Sequence, residues 1–221
     1  MFAKTLSSDV IEAYLHVGVP TVCDVLDYQY GVRAYMHHAI KPVFKARIAG
    51  QAVTLKEIPC QGPQPHDLDH LFAAVDATGP GCILVANIES DQTISLMGDL
   101  VATALHVRGC AGAVLDGAVR DIEPMIQMGF PVFASSVSPV NCTNKTIAIG
   151  HNIPMLCGGV HVNPGDLILA DWDGVVVVPV ELAEEVLAKA QKIEADERVL
   201  VQRIRAEVKE RKLADIFAEM E

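Results

Sequence analysis

The segment before residue 180 limits the possible folds most, because it breaks into many short strands. Apolar runs around residues 146–150, 155–162, 167–170 and 174–178 are separated by Gly, Pro and Asp. Short apolar runs between such residues predict strands. So many short strands late in the chain do not suit a purely doubly wound parallel sheet. The pattern therefore favours a layered β/β/α arrangement within the α/β class.

The length and the C-terminal pattern indicate how the chain is organised. Its 221 residues, of which 51% are hydrophobic, suit one substantial core. We expect residues 1–179 to form a single α/β catalytic domain and residues 180–221 a helical extension. From Val180 to about Lys212 an apolar stripe predicts one long amphipathic helix. Because such a helix outreaches the domain beneath it, its far end is expected to pack on neighbouring subunits.

Composition excludes several classes of protein. A net charge of −11 argues against a nucleic-acid partner, which normally meets a basic surface. No apolar run approaches the length that a membrane span requires, so no membrane partner is expected. The six cysteines include no C-x-x-C pair, which gives no signal for a zinc site or a redox dithiol. We therefore expect a cytoplasmic protein.

The stretch from residue 98 to residue 121 carries the candidate chemistry. Its pattern predicts a helix over Leu100–Val107, a short buried strand over Ala113–Leu115 and a tight turn at Asp116-Gly117. Gly98-Asp99 then lies at a helix start and Arg120-Asp121 follows a strand end. In an α/β fold these two pairs are expected to meet around one crevice.

These residue types match the needs of a small 2-oxo acid. Asp121 offers a hard oxygen ligand for Mg²⁺, which takes few carboxylates and keeps several waters. Arg120 offers a fork of donors for a carboxylate or an enolate oxygen. A helix start at Gly98 leaves backbone amides free for an anion. The alternative is ordinary structure: a cap, a turn and a surface ion pair use the same residues.

The motif resembles a known family. Asp99, twenty intervening residues and then Arg120-Asp121 are similar to the D-x20-R-D signature of class II pyruvate aldolases of the 4-hydroxy-4-methyl-2-oxoglutarate/4-carboxy-4-hydroxy-2-oxoadipate type. Those enzymes share a family with the regulator of RNase E activity A. The likeness spans about residues 20–200, and further matching segments are residues 21–26, 50–54, 79–81, 163–166 and 173–179.

The resemblance implies a role for each matching residue. Asp121 would ligate Mg²⁺ or Mn²⁺, and Arg120 would contact pyruvate and stabilise its enolate. Asp99 would order a water for proton transfer, while the amides around Gly98 and Leu100 would bind the pyruvate carboxylate. The resemblance also implies a swivelling-domain-like β/β/α sandwich with a long C-terminal helix, assembled as a homotrimer or homohexamer.

Three further groups of residues have open interpretations. The family places a glutamate from a neighbouring subunit's C-terminal helix at the metal's water shell, where Glu197 is preferred over Glu194; a solvated helix face explains either residue equally. His66 and His70 stand four apart and fit a shared metal, but a solvated helix start explains them too. Residues 89–91 precede the motif and are candidates for lining the crevice.

The motif and the family resemblance together indicate two alternative functions. The first is a divalent-metal-dependent aldolase, a carbon-carbon lyase, that cleaves 4-hydroxy-2-oxo acids to pyruvate and a second oxo acid. Because loss of CO₂ from oxaloacetate gives the same enolate, oxaloacetate decarboxylation is the expected side activity. The second is a non-catalytic regulator that binds and inhibits an RNA-degrading enzyme.

Overall fold

The computed structural model describes residues 2, 4–62, 68–88 and 93–219. The helices are α1 (Ser8–Tyr14), α2 (Val19–Tyr30), α3 (Asp69–Asp76), α4 (Asp99–Val107), α5 (Ile122–Met128), α6 (Ala183–Glu207) and α7 (Leu213–Ala218). The strands are β1 (Lys41–Pro42), β2 (Ile48–Pro59), β3 (Cys82–Ile88), β4 (Ser95–Met97), β5 (Gly112–Val119), β6 (Val132–Val137), β7 (Thr146–His151), β8 (Met155–Cys157), β9 (Val160–Val162), β10 (Leu167–Asp171) and β11 (Gly174–Val178). The predicted late strands and C-terminal helix are confirmed.

One mixed sheet organises the described part of the chain. Its strand order is β1-β6-β5-β3-β2-β10-β11, with β4 added beside β5 and β7 beside β2. The β2, β3, β5 and β6 strands run parallel, whereas β10, β11 and β7 are antiparallel to their neighbours. The layered α/β class predicted from the short strands is therefore confirmed, in the form of a sheet that curls towards closure.

The segment from Ala34 to Pro42 brings the two edges of the sheet together. The amide of Met36 donates to the carbonyl of Val175 at 2.9 Å, and the amide of Val177 donates to Ala34 at 2.8 Å. A few residues later, Lys41 and Pro42 pair with β6 at the opposite edge. Closing a sheet in this way removes most exposed edge hydrogen-bonding groups.

Helices cover the sheet on its outer faces, and apolar side chains fill its inside. The interior cluster contains the inward residues of most long strands, including Val85, Val114, Phe133 and Ile168. Helices α3, α4 and α5 pack over one outer face of the parallel strands. Helices α1, α2 and the first half of α6 pack over β10 and β11. Burial of these alternating faces is the main source of stability for such a fold.

The β5 strand corrects one sequence expectation. Asp116 and Gly117 continue the strand to Val119 instead of forming a turn. The reason is pairing on both sides, with Asp116 opposite Asn87 on β3 and Ala118 opposite both Ser95 and Ser136. Gly117 serves close packing, since a Cβ there would lie 2.7 Å from Leu96 Cδ1.

The long helix is buried near its start and exposed along its second half. Ala183, Val186, Leu187 and Ala190 are buried, whereas Val199, Val201 and Val208 are exposed. The division at residue 180 and the contact with neighbouring subunits stay predictions. No helix in the described ranges combines the length and apolar character that crossing a membrane requires.

Gln51, on β2, joins three separate segments through its buried amide. Its Oε1 accepts from the Leu6 amide at 2.9 Å, and its Nε2 donates to the carbonyls of Lys4 and Gly165 at 2.9 and 2.8 Å. We predict that Gln51→Leu lowers the free energy of unfolding by about 2–4 kcal/mol, because it leaves these groups without partners. Denaturant unfolding measures the change. Gln127→Leu, at an exposed position, is the control, and an equally small change in both variants would contradict the prediction.

Glu57, near the end of β2, should make stability depend on pH. Burial raises the pKa of its carboxyl above the ordinary value, while a hydrogen bond at 2.6 Å from the Thr146 hydroxyl opposes the rise. A raised folded-state pKa means that the folded chain holds the proton more tightly than the unfolded chain. The contribution of Glu57 to stability is therefore greatest below the unfolded pKa, about 4.3 for Glu, and it is lost as pH rises through the folded pKa.

We therefore predict that Glu57→Gln is more stable than the natural chain at pH 7 and that the difference shrinks towards pH 4. Denaturant unfolding at several pH values tests this. Burial also raises the pKa of Asp166, but that group is present in both proteins and cancels from the difference. Glu12→Gln, an exposed replacement, should show no such pH dependence. A difference that grows towards acid would overturn the prediction.

Candidate active site

The strands β4 and β5 bring the two halves of the motif to one place. They run parallel, with Ser95 opposite Ala118 and Met97 opposite Val119. The amide of Arg120 then donates to the carbonyl of Met97 at 3.1 Å. Since both strands end at the same level, the residues that follow them must be neighbours. Gly98-Asp99 and Arg120-Asp121 therefore meet, as their placement in the sequence predicts.

Asp121 holds an unusual backbone conformation at the start of α5. Its φ of 60° and ψ of 46° lie in the left-handed region, which is energetically unfavourable for residues other than glycine. Its carboxylate does not cap α5. Instead, Oδ2 accepts from the amide of Asp99 at 3.2 Å and lies 3.4 Å from Arg120 Nε. The conformation turns the carboxylate back towards the start of α4.

Gly98 makes this approach possible. A Cβ at this position would lie 2.6 Å from Asp121 Oδ2 and 3.0 Å from Arg120 Nε. Its φ of −125° is ordinary, so space, and not backbone conformation, requires glycine here. Gly98 is also the N-cap residue of α4, and the Ala102 amide donates to its carbonyl at 3.1 Å. The Asp99 amide donates to Asp121, so the amides of Leu100 and Val101 are the ones left at the helix end, where an anion can accept from them.

Gly98, Asp99, Leu100 and Arg120 line a cavity of about 230 Å³, and Asp121 lies behind this lining, in contact with Arg120 and the Asp99 amide. Arg120 and Asp121 have side chains that are 36% and 37% exposed, so water and a small ligand can reach both. Asp99 and Leu100 lie on the rim, and Leu100 is 81% exposed. A guanidinium and helix-end amides around one opening suit a small anion with two neighbouring oxygens.

The donor set indicates which metals fit. The described residues contain no group of three or more His, Cys, Asp and Glu side chains that could hold an ion. Zinc sites need three or four such ligands, whereas Mg²⁺ uses one or two carboxylates and completes its shell with water and substrate oxygens. Asp121, with Asp99 beside it, fits Mg²⁺ or Mn²⁺ in this respect.

The rest of the cavity lining was not predicted from the sequence. Leu68, Leu71, Ser95 and residues 141–143 also line it. Asn141 Oδ1 accepts from the amide and hydroxyl of Thr143 at 2.7 and 2.8 Å, which folds these residues into a tight Asx turn. The Asn-x-Thr spacing was the available signal. Its position beside Ser95 depends on a bridge between Ser95 and Asn141 that no local pattern encodes.

The two glutamates proposed for a neighbouring site differ in their contacts. Glu194 Oε1 accepts from the Gly18 amide at 2.5 Å and lies 3.4 Å from the Thr21 hydroxyl, so it caps α2 of its own chain. Glu197 is exposed and faces a shallow cavity on α6 with Arg198 and Arg205. Neither lines the cavity beside Asp121 within one chain. Glu197 is thus the one that remains free to reach another subunit.

His70, a candidate metal ligand together with His66, contacts a histidine on β7. His70 Nδ1 lies 3.0 Å from His151 Nδ1, on β7. His66 lies outside the described residues, as do residues 89–91, so their proposed roles stay predictions. Glu123 lies exposed in the first turn of α5 and is absent from the cavity lining.

Comparison with known proteins extends these observations. A protein from Halalkalibacterium halodurans, provisionally named a 4-hydroxy-4-methyl-2-oxoglutarate aldolase, is 36% identical over 182 residues, covering 81% of each chain. The Streptomyces coelicolor protein RraAS2, described as an unusual member of the RNase ES inhibitor RraA protein family, superposes with a TM-score of 0.79 at 27% identity. That match covers 89% of this chain and 97% of the other.

A further structure supports the fold alone. An uncharacterised protein from Pseudomonas syringae superposes with a TM-score of 0.86 at 24% identity, covering 99% of this chain and 97% of the other. The sequence model of the family described as RraA-like, Aldolase/RraA, matches residues 19–177. The match includes both halves of the motif and most of the sheet. The chain therefore belongs to the RraA-like Aldolase/RraA family.

Proposed function

We propose that this protein is a divalent-metal-dependent aldolase that cleaves 4-hydroxy-2-oxo acids to pyruvate and a second oxo acid. The observation that carries the proposal is the meeting of Asp121 with Arg120 and the start of α4, next to a cavity that Asp99, Leu100 and Arg120 line. Relatives that bear a provisional aldolase name support the same reaction class. The candidate substrates are 4-hydroxy-4-methyl-2-oxoglutarate and 4-carboxy-4-hydroxy-2-oxoadipate.

Each residue has a task in this reaction. Asp121, with water and substrate oxygens, would hold Mg²⁺ or Mn²⁺, which supplies positive charge beside the 2-oxo group. The amides of Leu100 and Val101 bind the substrate carboxylate at the start of α4. Arg120 donates to the 2-oxo oxygen, whose negative charge grows as the enolate forms. Such fixed donors can lower the barrier by several kcal/mol because they need no reorganisation.

Cleavage involves two proton transfers, one from the substrate 4-hydroxyl and one to C3 of the product. The 4-hydroxyl proton leaves to a water that Asp99 orders, the C3–C4 bond breaks, and C4 becomes the carbonyl of the second oxo acid. The bonding electrons pass to C3, giving the pyruvate enolate. Protonation of C3 from the same water completes the reaction. Because oxaloacetate reaches this enolate by losing CO₂, the site should also decarboxylate oxaloacetate.

A neighbouring copy is part of the proposal. Two carboxylates from one chain leave much of the metal's water shell without a protein partner. Glu197 is exposed on the free half of α6, beside exposed Val199 and Val201. In a homotrimer or homohexamer this half-helix would lie on the next subunit and Glu197 would hydrogen-bond to the water shell. Glu194 is unsuited because it caps α2.

The alternative is a regulator of an RNA-degrading enzyme, because the similar Streptomyces coelicolor protein is described as a member of an RNase ES inhibitor family. A regulator has no need of a guanidinium and a carboxylate beside an accessible cavity. Copurification with an RNase, together with no metal-dependent turnover of any oxo acid, would favour this function over the aldolase.

The central test replaces Asp121 by Asn, which keeps the size and removes the charge. Pyruvate release should be assayed over a panel of 4-hydroxy-2-oxo acids and oxaloacetate, with Mg²⁺, with Mn²⁺ and with excess chelator. We predict a loss of about 100-fold or more, since losing even an outer partner of a metal typically costs 10–100-fold. Asp215→Asn, at an exposed position on α7, should keep full activity. Undiminished turnover by Asp121→Asn in chelator would rule the proposal out.

A second variant tests the geometry while keeping every charge. Gly98→Ala places a methyl group where Asp121 Oδ2 and Arg120 Nε now approach, at 2.6 and 3.0 Å from the new carbon. We predict that the carboxylate is displaced and that pyruvate release falls by about 10–100-fold, as when supporting contacts of a metal site are lost. Gly79→Ala is the matched control because no atom lies within 4 Å of its Cβ position. Equal activity in both variants would contradict the assigned geometry.

A further inference from the structure

A second and larger cavity lies away from the motif. Its volume is about 520 Å³, within the usual range for small-molecule sites. It is formed by the first turns of α2, the segment from residue 33 to residue 38 and the turn between β10 and β11. Its polar lining residues are Cys23, Asp24, Arg33, Tyr35, His37, His38 and Asp173.

His37 is held in one orientation at this cavity. Its Nε2 lies 3.1 Å from Asp116 Oδ1, and the other oxygen of Asp116 accepts from the Gly158 amide at 2.8 Å. An ionised carboxylate only accepts hydrogen bonds, so Nε2 must be the protonated nitrogen. Nδ1 is then an acceptor in the neutral ring, and it makes no hydrogen bond to any residue in the described ranges.

The backbone completes this arrangement. The His37 amide donates to the Gly158 carbonyl at 2.8 Å, so one glycine contacts both members of the pair. Gly158 has φ of 57°, and a Cβ there would lie 2.6 Å from Met36 Cβ. No other residue type fits without strain. Asp116 is also placed in an otherwise buried strand, with a side chain that is only 15% exposed. A carboxylate in such a place needs strong hydrogen bonds.

The cavity carries charges of both signs that do not neutralise one another. Arg33 lies over the Tyr35 ring, with Cζ 5.2 Å from its centroid. Asp24, on α2, and Asp173, in the turn between β10 and β11, line the same cavity. None of these three side chains forms an ion pair with another residue among those described. A ligand that meets all of them must itself carry both a negative and a positive group.

We propose that this cavity binds a small zwitterion of the α-amino acid type. Arg33 donates to the carboxylate, and Asp24 and Asp173 accept from the ammonium group. Nδ1 of His37 supplies a third acceptor, which matches the three N–H donors of an ammonium. This site is independent of the aldolase proposal, because Asp116 belongs to the middle of β5 and not to its end.

The test uses three probes on the full chain with ¹⁵N-labelled histidine. L-alanine carries both charged groups, propionate carries only the carboxylate, and ethylamine carries only the ammonium. We expect L-alanine to bind at least about 10-fold more tightly than either half, since each charge-assisted contact contributes separately. The NMR signal of His37, identified by its loss in His37→Gln, should shift with saturation. Propionate or ethylamine binding as tightly as L-alanine, or no saturable shift with any probe, would overturn the proposal.

Matched variants separate the cavity from general charge effects. Arg33→Gln and Asp24→Asn should each weaken L-alanine binding by about 10-fold. Asp27→Asn removes a charge one turn along α2, outside the cavity, and should leave binding unchanged. Pyruvate release in the absence of L-alanine should be the same in all three. Equal binding by the natural chain and Arg33→Gln would refute the assignment. A His37 shift that follows protein concentration without any probe would also refute it, because a second copy would then cover the cavity.

Discussion

The hydrogen bond between the Asp121 carboxylate and the Asp99 amide determines the form of the candidate active site. It exists because β4 and β5 are parallel neighbours that end together, and because Asp121 adopts a left-handed backbone. Without the strand pairing, a separation of 22 positions along the chain would set no fixed distance between these two residues. Without the backbone turn, the carboxylate would not face α4. The site thus depends on sheet register first and on side-chain chemistry second.

This arrangement also bears on how an acidic protein could bind the anionic substrate proposed for it. The net charge of −11 would repel a dicarboxylate over most of the surface. In the proposed function, Arg120 and the amides at the start of α4 would provide donors, and Asp121 would hold a divalent cation. Close contacts of this kind outweigh distant charges, because exposed charges beyond about 10 Å are largely screened at physiological salt. An anion-binding site therefore needs hydrogen-bond donors and positive charge only within a few ångströms of the ligand.

The sequence predicted elements that have clear periodicity and clear ends. The α4 helix and the long α6 helix agree with expectation, since an apolar run or stripe defines each of them and Gly or Pro precedes each of them. The meeting of Gly98 with Arg120-Asp121 was also predictable, because it follows from where a strand ends and a helix begins. The β5 strand was predicted too short. Asp-Gly is typical of turns, and only the strands on either side make it part of a sheet here.

Contacts between residues far apart in the sequence could not be predicted from local sequence patterns. Ser95 meets Asn141, and Glu194 caps a helix 176 residues earlier in the chain. Asp116 and His37 are separated by 79 residues. In each case a polar residue of ordinary type gains a role only from its partner, and the partner is chosen by sheet topology.

The β5 strand shows why the two cavities have different chemistry. Its pairing with β6 shifts between Leu115 and Ala118, where Asp116 and Gly117 lie. Before the shift, side chains alternate between the interior cluster and the helix-covered face, and Asp116 follows Val114 on the interior side. Past the strand end the backbone reverses at Asp121, and the carboxylate meets a helix start instead. One strand thereby presents two carboxylates in two settings. Asp116 is enclosed by fixed donors and can only orient a neighbour, whereas Asp121 is open to water and can exchange its partners.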